Sequence, residues 1–290
     1  MTFVEDEIAS QPDCWAAALE LAASPLLPAA GERVAVVGCG TSWFVAQCYA
    51  TLREAAGLGE TDAFAASEAP ADRSYDRLVA ISRSGTTTEV LELLDRVNGP
   101  SLAITADPGT PVVELADETI SLPFADERSV VQTRFATSTL ALLRAHLGKD
   151  LTAAIADART TVGADLPEGA LDRGQFTFLG RHWTVGLANE AALKMREASL
   201  SWSESYPAME YRHGPISIAD KHSLVWMLGA APDGLRDEVT ATGATWVESN
   251  CDPMAELIRA QRLAVAVGRG RDLDPDNPRN LTRSVILDPA

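Results

Sequence analysis

Leu78-Val-Ala-Ile-Ser-Arg-Ser-Gly-Thr-Thr-Thr-Glu89 runs on into Val90-Leu-Glu-Leu-Leu-Asp-Arg-Val97. An apolar run of strand length ends in a loop of hydroxyls around Gly85, and an apolar-periodic helix then begins. Ser82, Ser84, Thr86, Thr87 and Thr88 all fall in this one strand-to-helix turn. A helix N-terminus offers unpaired N–H groups and partial positive charge, which suits a phosphate or a carboxylate. Ordinary capping fits the same residues, since Thr86 and Glu89 have capping-box spacing.

The unit recurs. Arg33-Val-Ala-Val-Val-Gly38 reads as a buried strand, Cys39-Gly-Thr-Ser42 as its turn, and Trp43 to Ala56 as a helix. Short strands are expected at 61–67, 101–105 and 119–123, a short helix at 111–116, and long helices at 130–146 and 151–161. Ahead of them, residues 5–23 read as an amphipathic helix interrupted near Pro12. Alternating strands and helices with short links imply an α/β fold with a doubly wound parallel sheet and ligands at the carboxyl ends of its strands.

After Val162-Gly-Ala-Asp-Leu-Pro-Glu-Gly169, the expected interdomain link, the pattern restarts. Gln175-Phe-Thr-Phe-Leu-Gly180 is a strand, 184–201 a helix, 222–229 and 244–248 strands, and 234–242 and 253–267 helices. The expected organisation is two tandem domains of flavodoxin-like, three-layer α/β/α type, 1–162 and 163–290. The repeat is unequal, because Ala230-Ala-Pro-Asp-Gly234 follows the strand after 222 with no hydroxyl cluster.

Composition narrows the partners. Charged residues are 22% and hydrophobic ones 46%, as in a globular chain. The net charge of −17 argues against nucleic acid and anionic membrane. No apolar run reaches the roughly 18 residues of a membrane span. The acidic start, Met1-Thr-Phe-Val-Glu-Asp-Glu7, is unlike a secretory signal, so a cytoplasmic protein is expected. Cys14, Cys39, Cys48 and Cys251 lack metal or disulfide spacing, so no metal is expected.

Lysine is scarce, at positions 149, 194 and 221. That draws attention to Asn189-Glu-Ala-Ala-Leu-Lys-Met-Arg-Glu197, where Glu190, Lys194 and Glu197 share one helical face. Two readings fit: a solvated face with Glu-to-Lys pairing, or a tightly packed helix holding a carboxylate as general base. Met209-Glu-Tyr-Arg-His-Gly-Pro215 sets His213 in a Gly-Pro turn, where it is either a surface residue or an acid–base group. The polar tail Asn277-Pro-Arg-Asn-Leu-Thr-Arg-Ser284 reads as a flexible end carrying two arginines.

Taken together, these stretches resemble the tandem sugar isomerase (SIS) domain family, above all the isomerase half of glutamine-dependent glucosamine-6-phosphate synthase. The resemblance is carried by Glu7-Ile8 with Gln11-Pro12, Gly38 to Ser42, Ser82 to Thr87, Gln132-Thr-Arg-Phe135 and Leu179-Gly-Arg181. It continues through Glu190 to Glu197, Tyr211 to Pro215 and Asp274 to Leu281. The order is that of the family over almost the whole chain.

The resemblance implies a phosphosugar site without a cofactor. Ser82, Ser84 and Thr87 would hold the phosphate, with Arg83 standing where the synthase has glutamine. Ser42, the Gly40-Thr41 backbone and Thr133 would bind sugar or phosphate, with Val130 and Gln132 in the same set. Glu197 would shuttle the proton between C1 and C2, Lys194 and Glu190 would be its companions, and His213 would open the ring from a neighbouring subunit. A homodimer follows. The first half would hold the substrate and the second would work on it.

The departures are as informative. Met1 starts directly on the isomerase region, so no glutaminase domain is expected. Arg283 stands at the position of a lysine and Gln132 at that of a serine. An arginine, always protonated, forms no Schiff base and can only bind or polarise. These differences point away from glucosamine synthesis and toward relatives that isomerise or deaminate amino-sugar phosphates or cleave fructosamine phosphates. A non-catalytic phosphosugar sensor, and an isomerase of unphosphorylated sugars, are the competing readings.

Overall fold

A computed structural model of the chain describes residues 2–70 and 72–287. Two short helices open it, α1 (Phe3–Ala9) and α2 (Gln11–Leu19), broken at Ser10 just ahead of Pro12. Then follow β1 (Val34–Gly38), α3 (Thr41–Ala55), β2 (Thr61–Ala65), β3 (Arg77–Ile81), α4 (Thr88–Arg96) and β4 (Ser101–Thr105). Next come α5 (Pro111–Leu115), β5 (Glu118–Ser121), α6 (Arg134–His146) and α7 (Thr152–Thr161). The chain continues with β6 (Gln175–Gly180), α8 (Thr184–Ser199), β7 (Trp202–Pro207) and β8 (Ser223–Leu228). It closes with α9 (Leu235–Ala241), β9 (Thr245–Val247) and α10 (Pro253–Arg269).

The strands form two wholly parallel sheets, one ordered β2-β1-β3-β4-β5 and the other β7-β6-β8-β9. Val-rich β1 is buried along its whole length, as a central parallel strand must be. In the order 2-1-3 the chain reverses its direction of travel between β1 and β3. Right-handed crossovers then put α3 on one face of the sheet and α4 and α5 on the other. Val90, Leu93 and Leu94 of α4 and Val112 of α5 accordingly pack on Val37, Ala80 and Ala103. In the second sheet Leu235 and Val239 of α9 pack on Val225 and Met227, while α8 lies with α10. The fold is α/β with two doubly wound sheets.

Contacts divide the chain into two compact units. One unit is Asp13–Arg128, Gln132–Leu151 and Asn280–Ala290; the other is Met1–Pro12, Ser129–Val131 and Thr152–Arg279. Hydrogen bonds give the reason. The Asp276 carboxylate accepts from Phe3 N–H at 2.9 Å and Val4 N–H at 2.8 Å, fastening α1 to the second-sheet unit. Gln11 donates to Gln261 of α10 at 2.7 Å, and buried Glu7 accepts from Ser129 N–H at 3.3 Å. Val130 N–H donates to the Asp276 carbonyl at 2.9 Å. Glu7, Gln11 and Asp276 therefore hold separate stretches of sequence together within the second-sheet unit.

Two expectations shift. The helix expected from 130 starts at Arg134, because its first N–H groups are taken by the Glu127 carboxylate. The strand β7 has no counterpart among the expected strands, since Trp202-Ser-Glu-Ser-Tyr-Pro207 is half-exposed and polar, as an edge strand is.

Close packing of α10 on α8 depends on Gly268, where an added Cβ would lie 2.2 Å from the Ala198 carbonyl oxygen. The obstacle is backbone, which cannot swing aside. Gly268→Ala is expected to destabilise the second-sheet unit by about 1–3 kcal/mol, the usual cost of overpacking, read as a lower urea midpoint at unchanged slope. A midpoint equal to that of the unsubstituted chain would show that the two helices are not held this close.

Candidate phosphate loop and acid–base helix

The first sheet places two loops at the carboxyl ends of adjacent strands. β1 ends at Gly38 and turns through Cys39 and Gly40, whose φ of +53° only glycine adopts cheaply, into α3. Thr41 and Ser42 begin that helix and are buried. β3 ends at Ile81, and Ser82, Arg83 and Ser84 follow, also buried. Because β1 and β3 are neighbours where the strand order reverses, both loops sit at the topological switch point, where open α/β sheets bind ligands.

The second loop is tightly built. Gly85 N–H donates to Ser82 Oγ at 3.2 Å and Thr86 N–H to Ser84 Oγ at 3.3 Å. Gly85 has φ of +62°, and a Cβ there would stand 1.9 Å from Thr110 Oγ1. Thr87, not Thr86, is the N-cap of α4, and no side-chain capping bond forms. The loop hydroxyls are thus free of the capping duty that the Thr86–Glu89 spacing suggested. Burial, with the negative charge of Glu89 second, pushes the neighbouring Cys39 thiol up to about 11. A neutral thiol is no nucleophile near pH 7.

Arg83 does not stand alone in this loop. Its guanidinium pairs with the fully buried Glu127 at 3.4 Å and donates to the Arg283 carbonyl at 2.9 Å. Glu127 also accepts from Thr133 N–H at 2.5 Å, Thr133 Oγ1 at 3.0 Å and Arg134 N–H at 2.7 Å. One carboxylate therefore ties together the loop arginine, Thr133 and the start of α6. Glu127 is not among the site residues expected from the sequence; a carboxylate shortly before a helix start is the signal it offers. Gln132 is half-buried beside it. The Arg283 guanidinium pairs with Asp126 at 2.5 Å, so the tail residues 280–287 are fastened to this unit.

In the second-sheet unit, α8 runs back from the carboxyl end of β6. Its charged face is not solvated. Lys194 is 1% exposed, pairs with Glu190 at 3.4 Å and donates to Glu197. Glu190 is 4% exposed and Glu197 18%. Small residues, Gly186, Ala188, Ala191 and Ala192, let this helix pack closely enough to bury the pair. Glu197 is the member of the line that reaches solvent. At 1.5 Å per residue it lies roughly 20 Å along α8 from Thr184, far from the carboxyl end of its own sheet.

His213 is exposed in a single 3-10 turn, Glu210–His213, beyond the carboxyl end of β7. β7 starts just after Glu197 and is six residues long, so Glu197 and His213 lie at opposite ends of a strand of about 20 Å. Val130 is half-buried with its N–H on Asp276. The structure brings Ser82, Arg83, Ser84, Thr87, Thr133 and Arg283 into one hydrogen-bonded neighbourhood, and Glu190, Lys194 and Glu197 into another. It does not bring His213 to Glu197 within the unit.

The family model described as "SIS domain" matches residues 29–147. The matched stretch runs from β1 to α6 and contains both loops of the switch point. The chain is 28% identical over 296 residues to a glutamine–fructose-6-phosphate aminotransferase (isomerizing) of Sulfolobus acidocaldarius, covering 88% of this chain and 50% of that one. A Thermus thermophilus protein of the same description is 28% identical over 320 residues, covering 89% and 52%. The chain spans about half the length of these relatives.

Among solved structures, glucosamine-6-phosphate deaminase from Thermotoga maritima superposes with a TM-score of 0.80 at 26% identity, covering 99% of this chain and 100% of that one. Tagatose-6-phosphate ketose/aldose isomerase from Escherichia coli gives 0.78 at 21% identity, covering 99% and 96%, and shares the fold. Among the described residues no group of three or more His, Cys, Asp or Glu side chains could hold a metal ion, and no helix is long and apolar enough to cross a membrane.

Proposed function

We propose that the chain is a phosphosugar aldose–ketose isomerase built from two SIS domains, acting on an amino-sugar phosphate or a related ketose phosphate, with amine release accompanying isomerisation. The observation that carries the reading is the buried Glu190–Lys194–Glu197 line with Glu197 alone open to solvent. A surface stabiliser has no need of a lysine buried to 1%, and ionic groups are rarely buried without a task. Glu197 would take the proton from C2 of an aldose, or C1 of a ketose, and return it to the other carbon through an enediol or enolamine. Hydroxyls and N–H groups at 82–88 would anchor the phosphate, so binding energy from a non-reacting group orients the reacting carbons. Thr41, Ser42 and Thr133 would complete the sugar contacts.

His213 would act on the ring oxygen. Its separation from Glu197 by the length of β7 supports a homodimer in which the histidine serves a neighbouring copy. The 26% identity to the Thermotoga deaminase across both whole chains supports an amino-sugar substrate.

The test is a panel of aldose, ketose and amino-sugar 6-phosphates incubated in D2O. Deuterium should enter C1 or C2, with ammonia released from the amino sugars. The same sugars without phosphate should bind at least tenfold more weakly. Tight binding of the phosphates with no deuterium entry would mark the chain as a sensor, and indifference to the phosphate would remove the loop's role.

A further inference from the structure

The donors of the hydroxyl loop are met by oxygens of the chain's own tail. Ser84 Oγ donates to Ser284 Oγ at 3.1 Å, Thr86 Oγ1 donates to the same oxygen at 3.0 Å, and Thr87 Oγ1 lies 3.4 Å from it. At the start of α4, Thr88 N–H donates to the Val285 carbonyl at 3.1 Å. Two acceptor oxygens, one hydroxyl and one carbonyl, thus stand where the loop aims its O–H and N–H groups. A phosphate held by Ser84, Thr86, Thr87 and the helix N-terminus would present its own oxygens to the same donors.

We propose that residues 281–287 form a strap that stands in for the bound anion and competes with it, with Arg83 as the positioning residue that fastens the strap. The inference rests on the reading of 82–88 as a phosphate loop. Arg83, braced by Glu127, donates to the Arg283 carbonyl at 2.9 Å and so sets the register that delivers Ser284 to the hydroxyls. This gives the loop arginine a task other than contact with phosphate. Leu287 N–H on Thr88 Oγ1 at 2.9 Å and Arg283 on Asp126 complete the fastening.

The strap is held by polar bonds and little else. Leu281, Val285, Ile286 and Leu287 are 43%, 50%, 70% and 56% exposed, so apolar burial adds little to its closure. A phosphate dianion makes charge-assisted bonds roughly twice as strong as the neutral ones it replaces. The ligand therefore displaces the strap, and apparent affinity falls by the fraction of molecules in which the strap is open.

The test measures binding of inorganic phosphate and of fructose 6-phosphate by calorimetry. It compares the unsubstituted chain, Ser284→Ala, a chain stopped after Asn280, and Ser84→Ala. Removing the hydroxyl or the strap should tighten both ligands roughly three- to tenfold, the worth of one or two neutral hydrogen bonds, and Ser84→Ala should weaken them. In the unsubstituted chain phosphate should speed hydrogen exchange of the Leu287 amide. Ser84-dependent binding that is unchanged or weaker in the strap variants would overturn the competition and leave the loop reading standing. Binding that ignores Ser84 in every variant would overturn both.

Discussion

Glu197→Gln is expected to lower turnover, and deuterium entry at C1 or C2, by roughly 10²–10⁴-fold, the usual share of a positioned general base. Binding of the phosphosugar should stay within about twofold, since a loss confined to the transition state leaves the ground state alone. Glutamine keeps the size of the side chain and an oxygen that can accept from Lys194, but it takes no proton. Lys194 retains Glu190 at 3.4 Å, so the helix should keep its charge partner. Single-turnover deuterium exchange, followed by NMR on whichever phosphosugar turns over fastest, separates the effect from product release. Exchange at the unsubstituted rate would show that Glu197 is not the base, and Glu190 at 4% exposure could not take its place without rearrangement.

Lys194→Met is expected to be the most damaging single change to stability. The substitution is nearly isosteric and apolar, so it fills the space while removing the positive charge between two carboxylates. Breaking a buried ion pair costs about 3–5 kcal/mol, because the remaining charge stays desolvated. In a unit of this size each kcal/mol moves the midpoint by about 2–4 °C, which gives a fall of roughly 6–20 °C for the second-sheet unit in a calorimetric scan. Adding Glu190→Gln should return part of the loss, since it removes the stranded charge. A fall below about 2 °C would mean that solvent reaches the pair and screens it. No recovery in the double variant would place the cost in packing.

Much of the fold was legible because parallel sheets announce themselves. Val34–Gly38, Leu78–Ile81 and Leu224–Leu228 are unbroken apolar runs, and only a strand covered on both faces needs that. The hydroxyl-rich turn after β3 and the charged face of α8 were equally visible, since period and residue type alone put them there. Two things were not. Trp202–Pro207 is an edge strand whose pairing to β6 supplies what its sequence lacks. Glu127 and Asp276 are single acids in polar stretches, and their worth comes from N–H groups that other parts of the chain bring to them.

The sequence by itself determined the two parallel sheets, the helix that carries Glu190, Lys194 and Glu197, and the hydroxyl turn at 82–88, because local period and turn chemistry reach no further than their own segment. Tertiary structure alone decided the state of each charge. It buried Lys194 where helical spacing allowed a solvated face. It turned Arg83 onto Glu127 and the tail. It also set Ser284, some two hundred positions away in the chain, among the loop hydroxyls. Desolvation and hydrogen bonding depend on what surrounds a group in space, and that neighbourhood exists only once the distant segments have met.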